Sequence, residues 1–368
     1  MFDLPNRTDR AGLSIIEILV VVSIVGLLLA LVLPAVQAAR ESSRRSHCAN
    51  NLRQVGIGML HFEQTNGRLP SGGEGADYSV NPPATVFELQ STFTQVVPYL
   101  EEAYLAAQIN PDLAYNDAAW PDNQVAAKTV IPTFLCPSSA VRSADPNGYG
   151  TTDYMPTVYT DIDPLTGTRN PLKRARGALQ LGGTPVAKIV DGLSRTIAIA
   201  EDAGRGWQGG APAVSMLPPD PVFSGGVAPI WNGSRLVAYA QWCADHKLVS
   251  GGVPLGESPA PGAHRIISRW AEPASAGGVS GQANSTAADL LPPINGNALP
   301  LGGPATCPWS RLNCGPNEEI FSGHPQGANV LMCDGSVTLI RQQIDPRVLR
   351  RLVTAEERLP YDDADLPQ

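Results

Sequence analysis

The sequence lacks the short signatures of common catalysis: there is no Gly-x-Ser-x-Gly elbow, no His-Glu-x-x-His and no glycine-rich phosphate loop. It is therefore read as a non-enzyme. It also lacks the Cys-x2-Cys and His-x3-His spacings that announce a metal site, so neither a metal nor another cofactor is expected. A basic excess is missing too. With 26 Lys and Arg against 34 Asp and Glu the net charge is −8, which excludes a nucleic-acid partner. Histidine is scarce, at positions 47, 61, 246, 264 and 324. Cysteine is limited to six, at 48, 136, 243, 307, 314 and 333.

What the sequence does hold is one apolar run, Gly12–Leu33, bearing a single acid, Glu17. About 20 apolar residues span a bilayer. A carboxylate there costs a few kcal/mol at mid-membrane and calls for a partner. Cleavage after Gly12 would supply one, the new amine of Leu13 on a neighbouring subunit. Gly12, Ser14 and Glu17 resemble the type IV prepilin signal, Gly-Phe-Thr-Leu-x-Glu, with Leu13 in place of phenylalanine. Pro34 stands where pilins often carry a kinking proline. The resemblance implies a prepilin peptidase as partner, methylation of Leu13, contact with inner-membrane lipid, and other pilin-like subunits as assembly partners. Two simpler readings compete. A secretory signal cut after Ala38 would have a shorter apolar core. A plain signal anchor is not oriented by charge, because Arg7 and Arg10 precede the run while Arg40, Arg44 and Arg45 follow it.

Beyond Pro34 the helical pattern continues. Cys48, Leu52, Val55, Met59 and Phe62 form one apolar stripe, and Asn66-Gly67 with Pro70 provides the stop. The spacing predicts a single helix over 13–66, with its first half in lipid and its second half the spine of a head. Together with the stretch Asn50–Pro70, several later blocks resemble the prepilin-like group called domain of unknown function 1559. They are Val97-Pro98-Tyr99-Leu100-Glu101, Phe134-Leu135-Cys136-Pro137-Ser138, Ile189–Thr196 closed by Glu201, and His324 followed after nine residues by Asp334-Gly335. That resemblance implies a surface-exposed, pilin-like protein.

The expected fold is α+β: the long helix packed on an antiparallel sheet. The expected layout is a leader at 1–12, a membrane segment at 13–34 and an extramembrane helix at 35–67. An ectodomain at 68–358 and a frayed tail at 359–368 complete it. Gly (36) and Pro (34) make up about a fifth of the chain, and stretches 204–233 and 251–305 read as loop insertions. Two Asp-Gly pairs, Asp191-Gly192 and Asp334-Gly335, each lie between β-rich arms and predict two hairpins. The second has apolar residues on both faces and is expected to be covered on both sides. Asp345-Pro346 predicts a capped helix start.

In an oxidising compartment disulfides are expected, Cys307–Cys314 first and Cys48–Cys136 second. His324 and Asp334 are read as structural, since a catalytic base needs a placed partner. Asp161, Asp163, Thr166 and Asn170 offer oxygen ligands without EF-hand spacing and read as a turn. The function expected is a membrane-anchored, single-pass pilin-like or pseudopilin-like structural protein of the bacterial inner membrane, its ectodomain in the periplasm or at the surface. The alternative is a solute- or glycan-binding ectodomain on a prepilin-type anchor.

Overall fold

A computed structural model describes residues 15–79, 81, 83–117, 120–139, 145, 148–203, 268–279, 293–295 and 319–357, with short strand pieces between 207 and 237. The leader with Gly12 and Leu13, the Cys307–Cys314 pair and the tail 359–368 lie outside the described residues. The chain divides into two compact units, Met1–Arg44 and Arg45–Gln368.

Helix α1 spans Ile15–Asn66 with Pro34 inside it. At 52 residues it is roughly 78 Å long at the helical rise. It is the one described helix long and apolar enough to cross a membrane, and the side chains of Ile15–Leu33 are exposed. The helix ends as the sequence requires. Gly67 takes φ +70° and donates its N–H to the Glu63 carbonyl at 2.7 Å, closing the last turn with a residue that pays no Cβ penalty. Cys48, Leu52, Val55 and Met59 are fully buried in the head. Phe62 is half-buried and meets Tyr99 edge-on at 5.7 Å.

The head is α+β. Its strands in chain order are β1 (Glu74–Asp77), β2 (Ala84–Phe87), β3 (Tyr154–Thr160), β4 (Ala175–Arg176), β5 (Ile197–Glu201), β6 (Trp207–Gln208), β7 (Ala211–Pro212), β8 (Ile230–Trp231), β9 (Leu236–Val237), β10 (Gly277–Val279), β11 (Gly327–Met332) and β12 (Val337–Arg341). The main sheet runs β10-β3-β5-β11-β12, with β4 against β3. All its pairings are antiparallel except that of β10 with β3. One face, carrying Leu331, Ile199 and Tyr154, packs in the same core as the α1 stripe. The other, carrying Val330, Met332 and Met155, packs with Leu349, Leu352 and Val353 of the last described helix, Pro346–Val353. Asp345 caps that helix by accepting from the Arg347 N–H at 2.8 Å.

Three expectations need correction. The first Asp-Gly pair does not turn a hairpin. Both edges of β5 are taken, by β3 and β11, so no edge is left for residues 185–190. That segment instead forms a 3-10 turn over Val186–Lys188, and Val190 donates its N–H to the Ala355 carbonyl at 2.9 Å. The second pair does turn a hairpin, but it is not a type I′ turn. Of Asp334 and Gly335 only the glycine has positive φ (+84°); Gly335 donates to the Met332 carbonyl and Met332 to the Ser336 carbonyl. This is a type I turn with a glycine bulge. Its β11 arm is buried along its length, whereas β12 is the sheet edge and only partly covered. Finally, the expected insertion 251–305 is not all loop. Residues 268–279 enter the core, where Trp270 and Arg269 are fully buried. Arg269 pairs with Asp145 at 2.7 Å, donates to the Tyr115 hydroxyl at 2.9 Å and lies over the Tyr149 ring.

Candidate functional site

The helical stripe begins at Cys48, so the first buried side chain of α1 is a sulfur. Two hydrogen bonds bring a second sulfur to it. Asn51 donates its amide to the Leu135 carbonyl at 2.8 Å, and Asp153 accepts the Cys136 N–H at 2.8 Å. Cys48 and Cys136 form a disulfide with Cα atoms 4.9 Å apart. Tyr154 donates its hydroxyl to the Cys48 carbonyl at 3.2 Å. The remaining described cysteine, Cys333, is an unbonded buried thiol whose pKa burial pushes up.

Two further groups converge there from other elements. Glu201 ends β5 and is fully buried; its carboxylate accepts both the backbone N–H and the side-chain amide of Asn329, each at 2.8 Å. His324 lies in the loop before β11, buried as well. That loop is pinned by Asn295, which accepts the Ser322 N–H at 2.7 Å, and by Gly323, where a Cβ would come within 2.3 Å of the Ser138 carbonyl. His324 Nε2 lies 3.4 Å from Glu201 Oε1 and 3.7 Å from Cys136 Sγ. One ligand atom each from Cys48, Cys136, Glu201 and His324 fall within 4.8 Å of one another.

Asp334 and Gly335 are not part of this cluster. The nine residues after His324 are mostly strand β11, which at about 3.4 Å per residue carries the chain some 20 Å along the sheet. Asp334 there accepts the Ser336 N–H and hydroxyl, at 2.9 and 2.6 Å. The spacing thus joins a buried imidazole to a turn rather than assembling a dyad. Asp191 and Gly192 sit beside that turn: Asp334 donates its N–H to the Leu193 carbonyl at 3.2 Å, and Asp191 accepts the Glu357 N–H at 2.9 Å. Gly335 packs on α1, where a Cβ placed on Gly56 would lie 3.4 Å from its Cα.

The oxygen-rich stretch forms a closed network. Asp161 pairs with Arg174 at 2.7 Å, and Arg174 stacks on Tyr159. Asp163 accepts from the Asn170 amide and the Leu165 N–H, bonds that hold its carboxyl below the usual range. Glu17 lies in the first turn of α1.

The chain thus holds one helix long and apolar enough to cross a membrane and an α+β head whose core gathers cysteine, histidine and glutamate from four distant parts of the sequence. A family model described as "Protein of unknown function (DUF1559)" matches residues 37–347, and the chain belongs to that family. The match begins after the Gly12–Leu33 segment. No curated protein and no solved structure matches the chain.

Proposed function

We propose that the protein is a type IV pilin-like structural subunit of a bacterial inner membrane. In this reading a prepilin peptidase cuts between Gly12 and Leu13, and the Leu13 amine is methylated. The head then stands in the periplasm or at the cell surface. The observation that carries the reading is α1: exposed apolar side chains through Leu33, then a stripe from Cys48 to Met59 buried in the head. Such a helix serves as anchor and spine at once. Glu17 belongs to its apolar half, where the amine of an adjacent subunit would offset the cost of the carboxylate.

Mass spectrometry of the mature N-terminus tests the reading. Methylated Leu13 is expected, and Gly12→Ala should retain the leader; an N-terminus at Ala39 would refute it. Assembly is tested separately by inter-subunit crosslinking. Glu17→Gln should abolish the ladder while leaving leader removal intact, and an unchanged ladder would remove the case for a pseudopilus. The second reading, capture of a solute such as a glycan, is favoured by one open hollow of about 560 Å³. Glu102, Tyr104, Gln108 and Asp122 line it, and Tyr104 is 84% exposed.

A further inference from the structure

Cys48, Cys136, His324 and Glu201 carry four atoms of the three common zinc-ligating types into one buried space: two sulfurs, an imidazole nitrogen and a carboxylate oxygen. We propose that they form a tetrahedral site for a zinc-class divalent cation, open when Cys48 and Cys136 are reduced and closed by their disulfide. This inference goes beyond the pilin-like reading and does not depend on it.

The geometry can be compared edge by edge. Zinc bonds of about 2.3 Å to sulfur and 2.0–2.2 Å to nitrogen and oxygen, at tetrahedral angles, put N and O about 3.4 Å apart and N and S about 3.6 Å apart. The observed separations are 3.4 Å between His324 Nε2 and Glu201 Oε1, and 3.7 Å between His324 Nε2 and Cys136 Sγ. Two edges of the tetrahedron are therefore in place in the oxidised protein. Among the remaining edges, which all lie within 4.8 Å, the one between sulfurs must open from a covalent bond of about 2 Å to about 3.8 Å. Side-chain rotation at two cysteines supplies that movement.

The surroundings also suit a metal. Asn329 holds the Glu201 carboxylate with two hydrogen bonds, the kind of outer-shell support that orients a metal ligand. His324 needs only to keep its proton on Nδ1 for Nε2 to bind. All four residues are buried, so water competes poorly once the ion is seated.

The redox step balances with a phosphine as reductant. The phosphine and one water convert the disulfide to two thiols and leave as phosphine oxide, the disulfide gaining the two electrons that phosphorus loses. The cation then binds with release of both thiol protons to solvent. A dithiol reductant would serve the same exchange with its own disulfide as product.

The test uses the full chain in detergent, reduced with a water-soluble phosphine and titrated with Co²⁺. Expected are tetrahedral d–d bands and a thiolate charge-transfer band at one Co²⁺ per chain, displaced by Zn²⁺ and missing from the unreduced protein. Cys243→Ser/Cys307→Ser/Cys314→Ser should retain the bands, and Cys48→Ser should lose them. Asn329→Ala, which leaves all four ligands, should weaken binding about 10- to 100-fold. Near-UV circular dichroism of the reduced parent guards against misreading an unfolded chain. A reduced, folded parent without the bands would overturn the proposal. So would unfolding on reduction, equal binding by the oxidised protein, or bands that survive Cys48→Ser.

Discussion

Gly335 offers the sharpest test of how the head is built, because turn geometry and helix packing meet there. Its φ of +84° lies in the left-handed region, where a Cβ costs about 1–2 kcal/mol. A Cβ would also lie 2.8 Å from Leu60 Cδ1, the far end of a half-buried side chain on α1. Leu60 can swing aside, so the dihedral dominates, and Gly335→Ala should lose about 1–2 kcal/mol of stability. Gly335→Val adds a stiff branched side chain against the same helix and should lose about 3 kcal/mol. Gly335→Asn, which tolerates the left-handed region, should lose less than about 1 kcal/mol. Gly192→Ala is the companion: φ there is +101° with nothing within 4 Å of the new Cβ, so only backbone strain acts. The assay is urea unfolding of the detergent-solubilised protein, followed by tryptophan fluorescence, to which the buried Trp270 contributes. Asp334→Ala decides the turn type. In a type I turn with a glycine bulge it forfeits only the exposed bonds to Ser336, about 0.5–1.5 kcal/mol. Equal midpoints for the Ala, Val and Asn variants at Gly335, or an Asp334→Ala loss as large as that of Gly335→Val, would refute the reasoning.

Two further predictions follow from the packing. Arg269→Met should cost about 3–5 kcal/mol by leaving Asp145 buried without its guanidinium, and a double variant with Asp145→Leu should recover part of that loss in the same unfolding assay. Asp345→Ala should cost about 0.5–2 kcal/mol by uncapping the helix over Pro346–Val353. The hydrogen bond from Arg347 holds the Asp345 carboxyl below its ordinary value, so its contribution is present above about pH 4 and lost as pH falls through the lowered folded value. The stability gap between parent and variant, measured against pH, should therefore close on acidification.

What the sequence made legible was local. The 4-3-4-3 spacing from Cys48 to Phe62 announces a helix with one buried face, because side chains at those intervals share a side of a 3.6-residue turn. Gly67 and Asp345 mark ends for reasons carried by single residues, a left-handed backbone and a carboxylate facing free N–H groups. Asp334-Gly335 identifies a turn between strands. The same dipeptide at 191–192 misled for a non-local reason: whether residues 185–190 become a strand depends on a free sheet edge, and that edge is occupied by β3, which lies well upstream at Tyr154–Thr160. Glycine's role at 192 survives that error, since φ there is positive in either arrangement.

The buried cluster was harder to see for the same physical reason carried further. Cys48 and Cys136 are 88 residues apart, and His324 follows Cys136 by 188. No short ligand spacing exists because no two ligands share a helix or a turn; the sheet, not the chain, sets their distance. One signal was nevertheless present. Cys136, Glu201 and His324 each fall in a block by which the chain resembles its family, and Cys48 opens the apolar stripe of the helix. In the fold the four side chains meet in the core of the head. A role confined to packing would be met by apolar residues, which avoid the desolvation of a glutamate and an imidazole. A disulfide accounts for the two sulfurs alone, whereas a cation would draw on sulfur, nitrogen and oxygen together.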